Sequence, residues 1–376
     1  MQEDNFFYFD NAATTPLDSK VAKLMHEINL SYFGNPSSIH RKGQQAHNII
    51  EKSRKSIAKL LNCKSSEIYF TSGGSESNNI ILRGILKPGD HFITSSYEHP
   101  AILNLIDFLK SKNIEVTLIK PEPNGYIDPK NIEQNIKSNT KLVSIMYVNN
   151  EIGTINPINE IGTFLKTKNI YFHTDAVQLI GKRSFDFSNE EVDFISIGAH
   201  KFYGPKGVGL LYIKSGTKVF PLIMGGGQES GIRAGTENIS GIAGMSLALE
   251  IAYQNLAKNI ENIKELETMF LKELSKHNIH YRVNGENRIQ GILNLTFFGV
   301  DSHSLVINLD MVNIAISAGS ACSSGSINIP KTLLEIGMNP DEAKNTVRIS
   351  IGKLTNKNDI KHLAQSIAEI INRIKL

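Results

Sequence analysis

The stretch DFISIGAHKFYGPKGVGLLYIK, Asp193 to Lys214, places a lysine where an apolar strand breaks into a glycine-rich turn. Phe194-Ile195-Ser196-Ile197 is a short β-prone run, Gly204-Pro205-Lys206-Gly207 turns the chain, and Val208 to Ile213 is a second apolar run. Lys201 therefore stands at a strand end. An ammonium confined there is costly unless it is paired or has lost its proton, and a desolvated lysine amine is a good nucleophile for a carbonyl. Alone, Lys201 reads more readily as a solvated turn residue. With a matching acid it reads as the amine of a Schiff base.

That acid lies upstream, in Tyr171-Phe172-His173-Thr174-Asp175-Ala176-Val177-Gln178, an apolar strand ending in a carboxylate that starts a helix. In an open α/β sheet, ligands sit outside the carboxyl ends of the strands, so Asp175 and Lys201 can face one site. Pyridoxal phosphate chemistry requires this pair: the lysine carries the aldehyde as an imine, and the acid pairs with the pyridinium nitrogen. By itself, Asp175 reads as a helix N-cap. A third element is the strand over residues 67–72, followed by Gly73-Gly74-Ser75-Glu76 and an apolar helix to about residue 86. Free backbone N–H groups at such a helix start hold a phosphate, and glycine lets it approach.

Helices over 18–32 and 39–61, with further strands at 91–96, 115–120 and 141–148, give an alternation that predicts an α/β fold. Its sheet should be mostly parallel and covered on both faces. Helix dominates from Ile239 to about Lys276. Strands near 291–299, 312–317 and 346–351 and a helix from Asn358 then read as a smaller α+β domain. The expected division is a large domain over 14–256 and a small one made of 1–13 and 257–376, with the boundary near Ala257.

A chain of 376 residues is long enough for two such domains. A net charge of +3 with dispersed Lys and Arg argues against a nucleic-acid groove. Acids stand at the N-terminus where a signal peptide would be basic, and no apolar segment is long enough to cross a bilayer, so a soluble cytoplasmic protein is expected. Two cysteines are too few for a disulfide framework and indicate a reducing compartment. Cys63, at a helix end, reads as a small buried hydrophobe. Cys322, inside SAGSACSSGS at 317–326, reads as a thiol presented by a loop of small residues. No CxxC or HExxH spacing supports a metal site.

From YFDNAATT at 8–15 to RISIG at 348–352 the chain resembles the class V aminotransferase-fold enzymes, specifically the cysteine desulfurases of the NifS/IscS kind. The resemblance implies a fold-type I transferase dependent on pyridoxal 5'-phosphate, in which Lys201 carries the cofactor and Asp175 faces its ring nitrogen. Gly74 and Ser75 match the phosphate-binding motif, and His99 of the Glu-His pair matches the residue that stacks on the ring. Asn150 and Gln178 match the neighbours of the phenolic oxygen. Thr236 matches a threonine that reaches the phosphate of a neighbouring subunit, which implies a homodimer. Asn35 borders the substrate pocket, and Arg348 clamps the carboxylate of L-cysteine. Many relatives carry a phosphate-binding serine where this chain has Gly198, which leaves His200 and Thr236 to compensate.

The reaction implied is desulfuration. Lys201 removes the Cα proton, the Cys322 thiolate attacks the substrate sulfur, and the products are alanine and a persulfide on Cys322. The sulfur acceptor is an iron–sulfur scaffold or a thiolation partner. A selenocysteine lyase or a class V aminotransferase on the same fold is the alternative.

Overall fold

The structure, a computed structural model, describes residues 6–319 and 329–374. In chain order its strands are β1 (Phe7–Tyr8), β2 (Ile68–Thr71), β3 (His91–Ser95), β4 (Glu115–Ile119), β5 (Thr140–Ser144) and β6 (Tyr171–Asp175), then β7 (Phe194–Gly198) and β8 (Gly209–Ile213). After a helical interval come β9 (Tyr281–Asn284), β10 (Ile292–Phe297), β11 (Ile314–Ala315) and β12 (Thr346–Ser350).

Strands β2 to β8 form one sheet in the order β2-β8-β7-β6-β5-β3-β4. β8 runs antiparallel to both neighbours, and the remaining pairs are parallel. β3, β7 and β8 are buried at every position, as a sheet covered on both faces requires. Successive residues alternate between two cores. Ile93, Val143, Phe172, Ile195 and Leu210 pack with the helices Arg41–Leu61 and Ile239–Gln254, while Phe92, Leu142, Phe194 and Leu211 pack with the helix Gly74–Ile85. His173 ties the middle of the sheet together, with Nδ1 2.7 Å from Ser144 Oγ on β5 and Nε2 3.0 Å from Ser196 Oγ on β7. Burial pushes its pKa down to about 4, so this cross-strand link is uncharged.

A second sheet, β12-β10-β9, is antiparallel, and β11 pairs in parallel with β1. Its core gathers Phe9, Phe270, Leu293, Leu295, Val347, Ile349, Leu363 and Ile367, from β1's flank, β10, β12 and the helices Leu256–Lys276 and Lys357–Ile374. Along β12, Val347 and Ile349 enter this core, so Thr346, Arg348 and Ser350 face the other way. Ile292, Leu333 and Ile336, also late in the chain, pack instead with the larger core.

Several elements differ from the sequence expectation. No helix follows Asp175: the chain turns through Ala176–Ile180 to Gly181, whose φ of +77° ends any helical course. Asp175 Oδ1 instead accepts from the Val177 N–H at 3.0 Å, capping a turn. The stretch expected to be dominated by helix, from Ile239 to about Lys276, is two helices that meet at Asn255. The expected strand at 312–317 contracts to Ile314–Ala315. β9 went unread because Tyr-Arg-Val-Asn is a short edge strand carrying a charge, not an apolar run.

One buried acid latches β3 to the chain leaving β5. Glu98 Oε1 accepts from Ser95 Oγ at 2.6 Å and from the Met146 N–H at 2.8 Å, and Oε2 has no partner among the described residues. Burial raises its pKa from 4.5 to about 8, so it holds a proton at neutral pH. The unfolded chain releases that proton near pH 4.5, whereas the folded chain keeps it until about pH 8. The stability contributed is therefore full below the lower value and is lost as pH rises through the window, by at most ~1.4 kcal/mol per pH unit. Glu98→Gln, which cannot ionise, should gain on the unsubstituted protein as pH rises from 5 to 8 in urea unfolding. A stability gap that stays constant over that range would show Glu98 to be ionised in the fold.

Candidate active site

Nine of the sequence-predicted residues converge on one cavity beside the carboxyl ends of the parallel strands. β7 ends at Gly198 and passes into a single 3₁₀ turn, Ala199–Lys201. Turn and lysine are fixed by a dense local network. The Gly204 N–H reaches Ala199 O at 3.0 Å, and Tyr203 takes a left-handed φ of +66° with its N–H on Thr15 Oγ1 at 2.8 Å. Its hydroxyl accepts from the Lys353 N–H at 2.6 Å. Lys201 Nζ donates to Ala12 O at 2.6 Å and to Ala13 O at 2.7 Å. The amine is thus held over an N-terminal segment that sequence reasoning connected with the site only through a motif.

Asp175 ends β6 beside it. Its Oδ2 accepts from Asn78 Nδ2 at 2.8 Å, and Asn78, wholly buried, lies on the helix Gly74–Ile85. At the start of this helix, Gly73 adopts φ +153°, a conformation that favours glycine, and a Cβ on Gly74 would stand 2.7 Å from Val177 Cγ2. Strand β8 comes equally close: a Cβ on Gly209 would lie 2.5 Å from Gly73 Cα. Glycine at these positions lets the helix N-terminus seat against the sheet end and present the Gly74 and Ser75 N–H groups to the cavity.

His99 Nδ1 accepts from the Ala101 N–H at 3.0 Å, which leaves the hydrogen of the neutral ring on Nε2. Burial lowers its pKa, and Asp175 opposes the shift. His200 contacts Thr14 Oγ1 through Nδ1 at 3.1 Å, and burial with the nearby lysines pushes its pKa down to about 4. Both rings are neutral at physiological pH. Arg348 is buried on β12 with Nη2 2.8 Å from Asp10 Oδ1 and Nη1 2.9 Å from Asn150 O, while Nε has no partner among the described residues.

A cavity of about 240 Å³ is lined by Gly74, Ser75, His99, Asn150, Asp175, Gln178, His200, Lys201 and Arg348, with Ala12, Ala13, Met146, Val148 and Val177. Two expected residues stand elsewhere, and a third is not described. Asn35 is exposed, with its side-chain oxygen accepting from the Ser37 N–H at 2.9 Å, and Thr236 is exposed on the connection before the helix Ile239–Gln254. Cys322 lies outside the described residues. Cys63 is half-buried against the large core, and burial pushes its thiol up to about 12, which makes it a poor nucleophile. At Gly198 a Cβ would meet His200 Cδ2 at 3.4 Å and Val177 Cγ1 at 3.7 Å, ordinary contacts, so sterics do not demand glycine there.

Sequence reading missed Asn78, Asp10 and the Ala12 and Ala13 carbonyls. Asn78 had a signal, since it is a polar residue on the buried face of an apolar helix. The carbonyls had none, because backbone acceptors carry no side-chain signature.

Residues present fit pyridoxal phosphate: a lysine amine at the floor, a carboxylate with its own amide donor, a glycine-lined helix start that a Cβ would fill, and a buried guanidinium with a spare N–H. The aminotransferase class V family matches residues 7–363. The chain is 42% identical over 374 residues to the cysteine desulfurase IscS of Dictyoglomus turgidum, covering 98% of this chain and 95% of the relative. A solved NifS-like protein superposes with a TM-score of 0.92 at 34% identity, over 98% of this chain and 100% of the other. A structure described as SspA in complex with cysteine superposes with a TM-score of 0.82 at 35% identity, over 93% and 99% of the two chains. The chain accordingly belongs to the class V aminotransferase family of pyridoxal phosphate enzymes, among the cysteine desulfurases of the NifS/IscS kind.

Proposed function

We propose that this chain takes sulfur from L-cysteine, releases L-alanine, and holds the sulfur as a persulfide on Cys322. The observation that carries this reading is the convergence of Lys201, Asp175 and the buried Arg348 guanidinium on one cavity. Bound pyridoxal phosphate supplies an electron sink for the charge left at Cα. Lys201 anchors it through Nζ and is the base that takes the Cα proton. Asp175, oriented by Asn78, would face the ring nitrogen, and neutral His99 would offer a flat face. Arg348, fixed by Asp10, turns its spare N–H to the substrate carboxylate.

The Cys322 thiolate takes the substrate sulfur as the Cβ–S bond breaks, and the three-carbon remainder is protonated to alanine. Residues on both sides of this cysteine stand beside the site, which supports the role. Ser317 exchanges backbone hydrogen bonds with Arg348 at 2.7 and 3.1 Å, Gly319 abuts Pro330, and Glu335 accepts from Ser96 Oγ at 2.6 Å. An iron–sulfur scaffold or a thiolation partner in the cytoplasm receives the sulfur. The working unit is a homodimer in which Thr236 reaches the partner's phosphate site. Exposure of Phe220, Ile223 and Met224 just before the Thr236 connection supports such a contact. The chain divides into a large domain, 14–256, and a small one, 1–13 with 257–376; the separate core of the second sheet supports this division, although Ile292, Leu333 and Ile336 cross it to the larger core.

Lys201→Ala should leave no cofactor fixed by borohydride, and Cys322→Ser should keep the yellow protein while abolishing alanine release from L-cysteine. Alanine release that survives in Cys322→Ser would favour the lyase or aminotransferase alternative. For the dimer, Thr236→Ala mixed with Lys201→Ala should regain part of the activity through hybrid sites, whereas a monomeric mass with no regain counts against it. At the remaining phosphate position, Gly198→Ser adds one donor where space exists. A single hydrogen bond of about 1 kcal/mol predicts cofactor retention about fivefold tighter, read from release on dilution.

A further inference from the structure

We propose that Lys182 is a positioning residue for Lys201, acting through the Gln178 amide and the Ala12 carbonyl that Gln178 and Lys201 share. Lys182 Nζ donates to Gln178 Oε1 at 2.6 Å, Gln178 Nε2 donates to Ala12 O at 2.8 Å, and Lys201 Nζ donates to the same oxygen at 2.6 Å. The chain of contacts is directional. In its ammonium form Lys182 only donates, and so selects the oxygen end of the amide and turns the nitrogen end to Ala12. Were the amide reversed, its oxygen would oppose the carbonyl that holds Lys201, and its nitrogen would oppose Lys182.

Lys182 is placed for this task by the turn after Asp175. Gly181 carries φ +77°, and a Cβ there would stand 2.7 Å from Phe202 Cβ, so the turn packs directly on the Lys201 loop. A second cavity of about 40 Å³ is lined by Lys182, Lys201 and Ala12 together, with Asn11, Tyr203 and Lys353 among its other walls. It has room for about one water. The charges that face Lys182 are cationic: Lys201 and Arg348 add to burial in pushing its pKa down to about 7. The remaining cation, Lys353, is engaged by Asp18 Oδ2 at 2.6 Å. Among the described residues Lys182 Nζ thus donates to a neutral amide, where a surface lysine would seek a carboxylate.

This inference rests on Lys201 as the cofactor-bearing amine. The experiment uses the cofactor-loaded protein and reads the pH midpoint of its visible band, together with the residue fixed by borohydride. Lys182→Met should shift the midpoint by about half a pH unit or more, Lys182→Arg should return it toward the starting value, and Lys182→Met should add nothing in a Gln178→Leu background. A Lys182→Met midpoint equal to the unsubstituted one overturns the inference. So does the same shift persisting in Gln178→Leu, since the effect would then be charge alone. Should Lys182→Met fail to fold, Gln178→Met removes the link to Ala12 without adding a charge. The same shift is expected there, and an unmoved midpoint refutes the proposal. If borohydride fixes no cofactor at Lys201 in the unsubstituted protein, the assignment of Lys201 falls instead.

Discussion

A lysine amine at the apolar end of a parallel sheet has to be satisfied by something, and in this fold the carbonyls of Ala12 and Ala13 do it. Helices and strands spend their own carbonyls internally, so the acceptors come from an irregular segment. That segment is itself held from both sides. Asn11 Nδ2 reaches Ser350 O at 2.8 Å, the Ala12 N–H reaches Ser350 Oγ at 2.8 Å, and the Thr15 N–H reaches His200 O at 2.9 Å. The smaller sheet therefore positions the amine that the larger sheet carries.

The same segment explains Arg348. β12 alternates, with Val347 and Ile349 in the small core, and this turns the arginine toward the large sheet. Removing one partner from a buried guanidinium is costly, so Asp10 is as necessary as the arginine it holds. A group that arrives already oriented does not have to lose side-chain freedom when substrate binds.

Much of this was legible in the chain. The apolar runs at 91–96, 171–175 and 194–197 read as strands because β3, β6 and β7 sit in a doubly covered sheet, and Lys201 and Asp175 read as neighbours because parallel strands present their carboxyl ends together. Contacts between residues distant in sequence were not legible. Asn78 with Asp175, Arg348 with Asp10, and Lys182 through Gln178 to Ala12 each depend on side-chain directions that only the assembled layers define. Asp175 was misread for a local reason: a carboxylate followed by apolar residues has the same pattern whether it caps a helix or a turn, and Gly181 decides the matter downstream. Asn35 and Thr236 were assigned by motif to a pocket that one chain does not form around them.

The clasp between Asn11 and Ser350 joins residues 339 positions apart. During synthesis the N-terminal segment emerges first and waits for its partner until β12 has been made. Closing so long a loop carries an entropic cost that local contacts cannot offset, so the clasp belongs to the final stage of folding. The large sheet can collapse earlier, as soon as β8 and its covering helices exist. A nascent chain thus has both Lys201 and the Ala12 and Ala13 carbonyls before it has the β12 contacts that clamp the N-terminal segment, and the reactive amine becomes ordered only once β12 has been made.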